Sequence, residues 1–368
     1  MHLYIVLSLI ILILIGIYVY FFIERIINLF IKRIKINKKR IIIILLTFIM
    51  IIPALNIGGS WSIVIFHFVI FAWCIDLIYW IIVKFTKGEN NMVTEIYNSG
   101  IIPIILTGIF ITYGCINAKN VIEKEYNIYT DKNIRNEGYK VNFISDLHFG
   151  TTMSNNELQK YCDNISQRNV DIVILGGDIV DENTTLKQMK DAFKILSSIK
   201  SNYGIVYVYG NHDKSRYAIN PNYTEEELKE AISECGIKIL EDDVYKINNE
   251  LCIIGRKDRS DSEERKSAQE LVSEFNKDYY TIIVDHQPCE INENSQNGYD
   301  LMVSGHTHFG QIWPLGHLMN LFKINEMNYG YERVGNMDII VSSGMGGWGY
   351  PIRTEKKCEY LMINIERK

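Results

Sequence analysis

Five short polar clusters hold most of the residues in this 368-residue chain that could do chemistry together. They read Asp146-Leu147-His148, Gly177-Asp178-Ile179-Val180-Asp181, Gly210-Asn211-His212-Asp213, Asp285-His286 and Gly305-His306-Thr307-His308. The chain has eight histidines, and two of them, His2 and His67, lie in an apolar N-terminal part. Of the other six only His317 falls outside the clusters, a concentration that core packing does not explain. Imidazole, carboxylate and amide donors form a borderline-to-hard ligand set that suits Mn, Fe or Zn; Ca would take oxygen ligands throughout. No cysteine joins the clusters, which argues against a structural zinc site. Two such ions held ~3.5–4 Å apart clamp an in-line displacement at phosphorus, with a carboxylate between them. Asp178 is the natural bridge, because it follows two glycines that permit tight backbone turns at the ions.

These clusters need a scaffold that brings distant segments together. Each follows a short apolar, β-branched run: 140–145, 171–175, 205–209, 281–284 and 301–303. Helical spacing fits 155–169, 186–199, 224–235 and 262–276, the third opened by a capping box of Thr224 and Glu227. Further strands are expected at 251–254, 338–341 and 360–365. Alternating strands and helices indicate an α/β domain, and the later succession of strands makes the sheets mixed. Ligands in such sheets bind at the carboxyl ends of strands, where all five clusters fall.

The ordered set DxH, GDxxD, GNH(D/E), a lone His and GHxH resembles the calcineurin-like metallophosphoesterases, and GHTHFGQIWP with the 344–353 loop resembles their membrane-anchored bacterial branch. The resemblance covers about residues 139–368. It implies a four-layer αββα sandwich and two metal ions. It implies that Asp146, His148 and His308 hold one ion, that Asn211, His286 and His306 hold the other, and that Asp178 bridges them. It also implies hydroxide attack on phosphorus, with His212 as general acid and Asp213 orienting it. Asp181 fits either support of a ligand or a helix start. The glycine-rich 344–349 stretch fits either a flexible turn or an approach to the site, and Arg353 fits either a solvated side chain, the reading preferred, or a partner of a substrate phosphate. A non-catalytic metal-binding sensor or scaffold on the same fold is the alternative, against which intact His212 and Asp213 argue. A transporter with an accessory soluble domain is disfavoured by the few charges in the apolar part.

That apolar part, residues 1–116, contains four stretches at 3–23, 41–57, 61–83 and 100–116 that are expected to span a membrane. Residues 117–138 read as a linker and 139–368 as the phosphoesterase domain. The first stretch is no signal peptide: its apolar run is too long and no small-residue cleavage site follows. Lys/Arg residues crowd the loop after it (Arg25, Lys32, Arg33, Lys35, Lys38, Lys39, Arg40), and Lys84 and Lys87 follow the third. The positive-inside rule makes both loops cytoplasmic, so four spans put the catalytic domain on the outer face of the cell membrane. His67 reads as a packing residue, and Asp76 is expected to pair with Lys84 or reach the interface.

Residues 117–368 hold 29 Lys/Arg against 39 Asp/Glu, a formal charge of about −10. That balance disfavours nucleic acid as the partner, because duplexes bind chiefly through Lys and Arg on phosphates. The seven cysteines include no CxxC pair and read as free thiols. The anchor points to a phosphoester substrate close to the membrane, in a lipid-linked or cell-envelope molecule. The apolar 313–322 segment fits either burial as core, the reading preferred, or an exposed surface that meets a membrane or an acyl chain.

Overall fold

The computed structural model describes residues 2–31, 34–56, 59–86, 91–261, 264–274 and 276–368. It divides into two compact units, Met1–Gly114 and Cys115–Lys368. The first comprises α1 (His2–Phe30), α2 (Ile36–Ile51), α3 (Ser60–Thr86), α4 (Asn91–Ser99) and most of α5 (Ile101–Asn117).

The four expected spans are redrawn. Among the described residues two helices are long and apolar enough to cross a membrane, Ile10–Phe30 and Ser60–Thr86, and α4 with α5 could make a third span bent by 49°. At ~1.5 Å per residue, the 16 residues of α2 reach only about 24 Å, short of a ~30 Å hydrocarbon layer. Crossing number alone therefore does not fix the side of the second unit. Lys32, Arg33 and Lys87 lie outside the described residues. Asp76 pairs with Arg25 (2.8 Å) and accepts from the Tyr18 hydroxyl (2.6 Å), so its partner is not Lys84. His67 packs as expected: it is buried, bonds the Ile63 carbonyl (2.8 Å) and lies against Phe66 and Phe110.

In the second unit the chain runs β1 (Val121–Thr130), β2 (Tyr139–Ile144), α6 (Asn155–Ser166), β3 (Ile172–Leu175), α7 (Leu186–Leu196), β4 (Ile205–Tyr207), α8 (Glu225–Glu234), β5 (Lys238–Ile239), β6 (Asp243–Ile247) and β7 (Leu251–Gly255). It continues through α9 (Ala268–Val272), β8 (Tyr280–Val284), α10 (Ile291–Gln296), β9 (Leu301–Ser304), α11 (Leu315–Phe322), β10 (Gly330–Val334), β11 (Met337–Val341) and β12 (Cys358–Arg367). Two six-stranded sheets result, ordered β1-β12-β2-β3-β4-β5 and β10-β11-β9-β8-β7-β6.

Side-chain alternation builds the layers. Ile172 and Ile174 of β3 face the second sheet in a core with Ile253, Ile282 and Val303, whereas Val173 and Leu175 face α6 and α7. Beyond the second sheet, Ile254, Ile283 and Met302 pack with Ala268 and Leu271 of α9. The result is helix, sheet, sheet, helix. Covered on both faces, β3 reads as an unbroken apolar run. Capping boxes open α6 (Ser154, Glu157), α7 (Thr185, Gln188) and α8 (Thr224, Glu227).

One boundary is corrected. The stretch expected as a linker at 117–138 contains β1, which pairs in parallel with β12 from Val121↔Cys358 to Thr130↔Arg367. It is an edge strand, and its exposed Glu123, Glu125 and Asn127 gave it a linker's polarity. All seven cysteines are free.

Candidate metal centre

The two sheets meet at the carboxyl ends of adjacent parallel strands. Strands β2, β3 and β4 deliver Asp146 with His148, Asp178, and Asn211 with His212; β8 and β9 deliver His286, and His306 with His308. Two groups form, each with ligand atoms within 4.8 Å of one another: Asp146, His148 and His308, and Asp178, His286 and His306. Asn211 stands beside the second group, its Oδ1 2.9 Å from His306 Nδ1. Asp178 Oδ2 lies 3.0 Å from His286 Nε2 and 3.9 Å from His148 Nε2, so it faces a ring from each group.

The backbone is bent to achieve this. Asp146 (φ 51°), His148 (43°), Asp178 (52°), His306 (70°) and His308 (47°) all adopt the left-handed region that residues with a Cβ avoid. Such outliers cluster where a site over-determines the chain. The neighbouring glycines are needed for contact: a Cβ at Gly210 would collide with Asp178 Oδ1, and one at Gly305 with Asp146 Oδ2. Backbone donors aim both carboxylates, His212 N–H to Asp178 Oδ1 and His306 N–H to Asp146 Oδ1, each at 2.8 Å.

The donor set fits cations. His286 Nδ1 is engaged by the Gly176 carbonyl (2.8 Å) and His148 Nδ1 by Asp181 (3.2 Å), which leaves each Nε2 to ligate. Asp181 thus holds the His148 ring and is not merely a helix start. The Nε2 atoms of His148 and His308 face each other at 3.1 Å, and Asp146 Oδ2 is buried without a hydrogen-bond partner. Burial, then the charge of His286, pushes His306 down to about 4. Burial, then His148, holds His308 well below the usual imidazole range. Both rings are therefore neutral at pH 7, the form in which imidazole binds metal.

Residues 139–310 match the family model for calcineurin-like phosphoesterases. This chain carries a calcineurin-like metallophosphoesterase domain. An uncharacterized metallophosphoesterase of Helicobacter pylori strain J99 is 30% identical over 246 residues, 66% of this chain and 63% of that protein. One from Campylobacter jejuni is 27% identical over 309 residues, 82% of this chain and 78% of that protein. A transmembrane protein with metallophosphoesterase domain from Danio rerio is 24% identical over 326 residues, 84% of this chain and 72% of that protein. The chain thus spans a little under two thirds of the Helicobacter relative.

Within this metallophosphoesterase domain two residues depart from expectation. Asp213 does not orient His212 but ties ligand loops together: its carboxylate accepts from the backbone N–H of Gly210 (2.6 Å), Asp178 (2.7 Å), Ile179 (2.9 Å) and Val180 (3.2 Å). The partner of His212 is Glu182, 2.9 Å from Nδ1, a residue the sequence reading missed. Burial alone would lower His212; the hydrogen bond to Glu182 and the charge of Asp178 outweigh it and raise the ring above its ordinary value. Arg353, expected to be solvated, is fully buried and donates to the carbonyls of Gly346, His308 and Ser343. It fastens the 344–346 loop, which bonds Ser145 and Asp146 through Met345 N–H and Gly346 N–H, to the loop carrying His308. The glycine-rich stretch thus approaches the site.

Proposed function

We propose that this chain is a membrane-anchored dinuclear-metal phosphoesterase that hydrolyses a phosphodiester, phosphomonoester or pyrophosphate bond in a lipid-linked or cell-envelope substrate. Asp146, His148 and His308 would hold one ion, Asn211, His286 and His306 the other, and Asp178 would serve both. The observation that carries this reading is Asp178 Oδ2 facing His286 Nε2 at 3.0 Å and His148 Nε2 at 3.9 Å, one ring from each group. When bound, two cations supply a nucleophilic oxygen at neutral pH and offset the charge of the phosphoryl group. His212 has the protein's part in the proton transfer. Glu182 accepts from Nδ1–H, so Nε2 carries the proton delivered to the leaving oxygen. Asp213 and Arg353 act through the loops they fix.

The test is hydrolysis of bis-p-nitrophenyl phosphate with added Mn²⁺ by the wild type, Asp178→Asn and His212→Ala. Equal rates in all three would sink the catalytic reading. The proposal also places the anchor in the cell membrane as a multi-pass segment with the second unit on the outer face. It requires α2 with the following Ile52–Leu55 turn to cross as well, which puts the basic residues after α1 and Lys84 at the end of α3 on the same, cytoplasmic side. A reporter fused after residue 368 checks the side.

A further inference from the structure

The segment around α11 belongs to neither the metal centre nor a core. Expected to be buried, it presents an apolar stripe to solvent: Leu315, Leu318, Leu321 and Phe322 recur at helical spacing, and Ile324 follows. Leu321 is 72% exposed, Phe322 69% and Ile324 63%. Only the opposite side is anchored, by the buried Gly316. A soluble surface seldom carries so concentrated an apolar patch without a partner.

What covers it follows from what holds it. Glu355 accepts from Gly316 N–H (2.8 Å) and pairs with His317 (3.1 Å), and Trp313 N–H donates to Thr354 (2.9 Å). The loop that grips α11 also receives the end of α5. The side-chain amide of Asn117, the last residue of that apolar helix, donates to the carbonyls of Arg353 (3.0 Å) and Lys356 (2.6 Å). The exposed stripe is therefore fastened, two residues away along one loop, to the point where the chain leaves an apolar helix. Exposed Lys119, Lys323, Lys356 and Lys357 belong to the same segments. Apolar side chains with lysines beside them are the chemistry of a helix lying in a lipid headgroup layer. A second copy of the chain is a poorer occupant. A helix of eight residues, about 12 Å long, covers far less than the ~800 Å² per partner of a stable interface.

We propose that α11 is an interfacial helix that docks the second unit on the lipid surface, so that the metal centre meets phosphoesters of lipids still seated in the bilayer. This deepens the function proposed above and rests on its membrane anchorage. The geometry links the surface to the chemistry. The ring of Phe309, next to His308, lies 5.7 Å from the ring of His317 in α11, and Arg353 holds the His308 carbonyl at 2.9 Å. A cavity of about 650 Å³ is lined by Cys115 and Lys119 at the chain's exit from α5 and by Phe149 and Thr151 just after His148. A phosphoester headgroup has room there.

The test uses the full chain in phosphatidylethanolamine–phosphatidylglycerol nanodiscs. Cys74, Cys115 and Cys235 are changed to Ser, and single nitroxide labels are placed at Leu318→Cys, Leu321→Cys and, as a solvent reference, Glu332→Cys. We expect the α11 labels to collide with a water-soluble nickel chelate about threefold less than the reference and with oxygen more, as for side chains in the acyl boundary. Equal nickel accessibility at all three positions overturns the proposal. So does dipolar broadening between α11 labels, which would identify a second copy as the occupant. Hydrolysis of bis-p-nitrophenyl phosphate by the same samples separates the two readings. Hydrolysis without protection removes the docking and keeps the phosphoesterase; protection without hydrolysis does the reverse.

Discussion

The loops of the two sheets contribute unlike chemistry to one centre. Those after β2, β3 and β4 supply every oxygen donor, Asp146, Asp178 and Asn211, with a single ligand-type imidazole, His148; those after β8 and β9 supply imidazoles only. Neither sheet completes a group alone, since Asp146 and His148 need His308, and Asp178 needs His286 and His306. The first set is tied by its own backbone, four N–H groups on Asp213. The second is aimed from across the interface, His286 by the Gly176 carbonyl and His306 beside Asn211. Carboxylate charge is thus kept on the loops with the denser hydrogen bonding, and imidazole rings are brought to it. A candidate metal centre divided this way is assembled by the packing of two sheets.

The largest effect should come from the residue both groups share. Asp178→Asn is expected to lower kcat for bis-p-nitrophenyl phosphate by about 10³-fold, with fewer than two ions per chain by metal analysis. Full ion content in that variant would break the division drawn here. His212→Ala should cost about 10²–10⁴-fold while ion content stays at the wild-type level. The loss should be greater for alkyl than for p-nitrophenyl leaving groups, because only the former need the proton. Gly305→Ala probes the seam between the sheets, since its Cβ would press on Asp146 from the opposite set. A destabilisation of about 1–3 kcal/mol in thermal or urea unfolding, with weaker ion retention, is expected.

Glu182→Gln sharpens the comparison in pH. Glu182 and Asp178 raise His212, so its proton-bearing form survives to higher pH and is lost as pH rises through that raised value. Removing the carboxylate lowers it, and the alkaline limb of the kcat profile should move toward acid; an unmoved limb would remove Glu182 from the mechanism. The smallest effect lies away from both loop sets. Thr224→Ala removes the cap of α8 and should cost about 1 kcal/mol in urea unfolding, with kcat unchanged at 25 °C.

The ligand loops were legible because each binds its chemistry to a local signal, a β-branched run closing in Gly, Asp, Asn or His. The alternation of strands and helices was legible through apolar runs, helical spacing and the cap of α8, whereas the four layers came from the resemblance, since β3 is apolar on both faces. Tertiary contacts with no fixed spacing stayed hidden. Glu182 meets His212 from 30 residues upstream, in a stretch that reads as a helix approach. Asp213 sits beside His212 in sequence but turns to the backbone of the neighbouring loop. Arg353 lies among polar residues without periodicity, so its burial beneath three carbonyls gave no sign. Strand β1 was masked by the polarity of an edge, and α11 by an apolarity that in a soluble domain ordinarily signals core.

The pairing of β1 with β12 also bears on load. The chain leaving α5 enters β1 directly and runs parallel to the C-terminal strand for ten residues, Val121 to Thr130. A pull on Val121 along the strand axis would load its cross-strand hydrogen bonds together, in shear. They are not opened one at a time from a free end. A strand loaded this way is held in the stronger of the two ways it can be pulled.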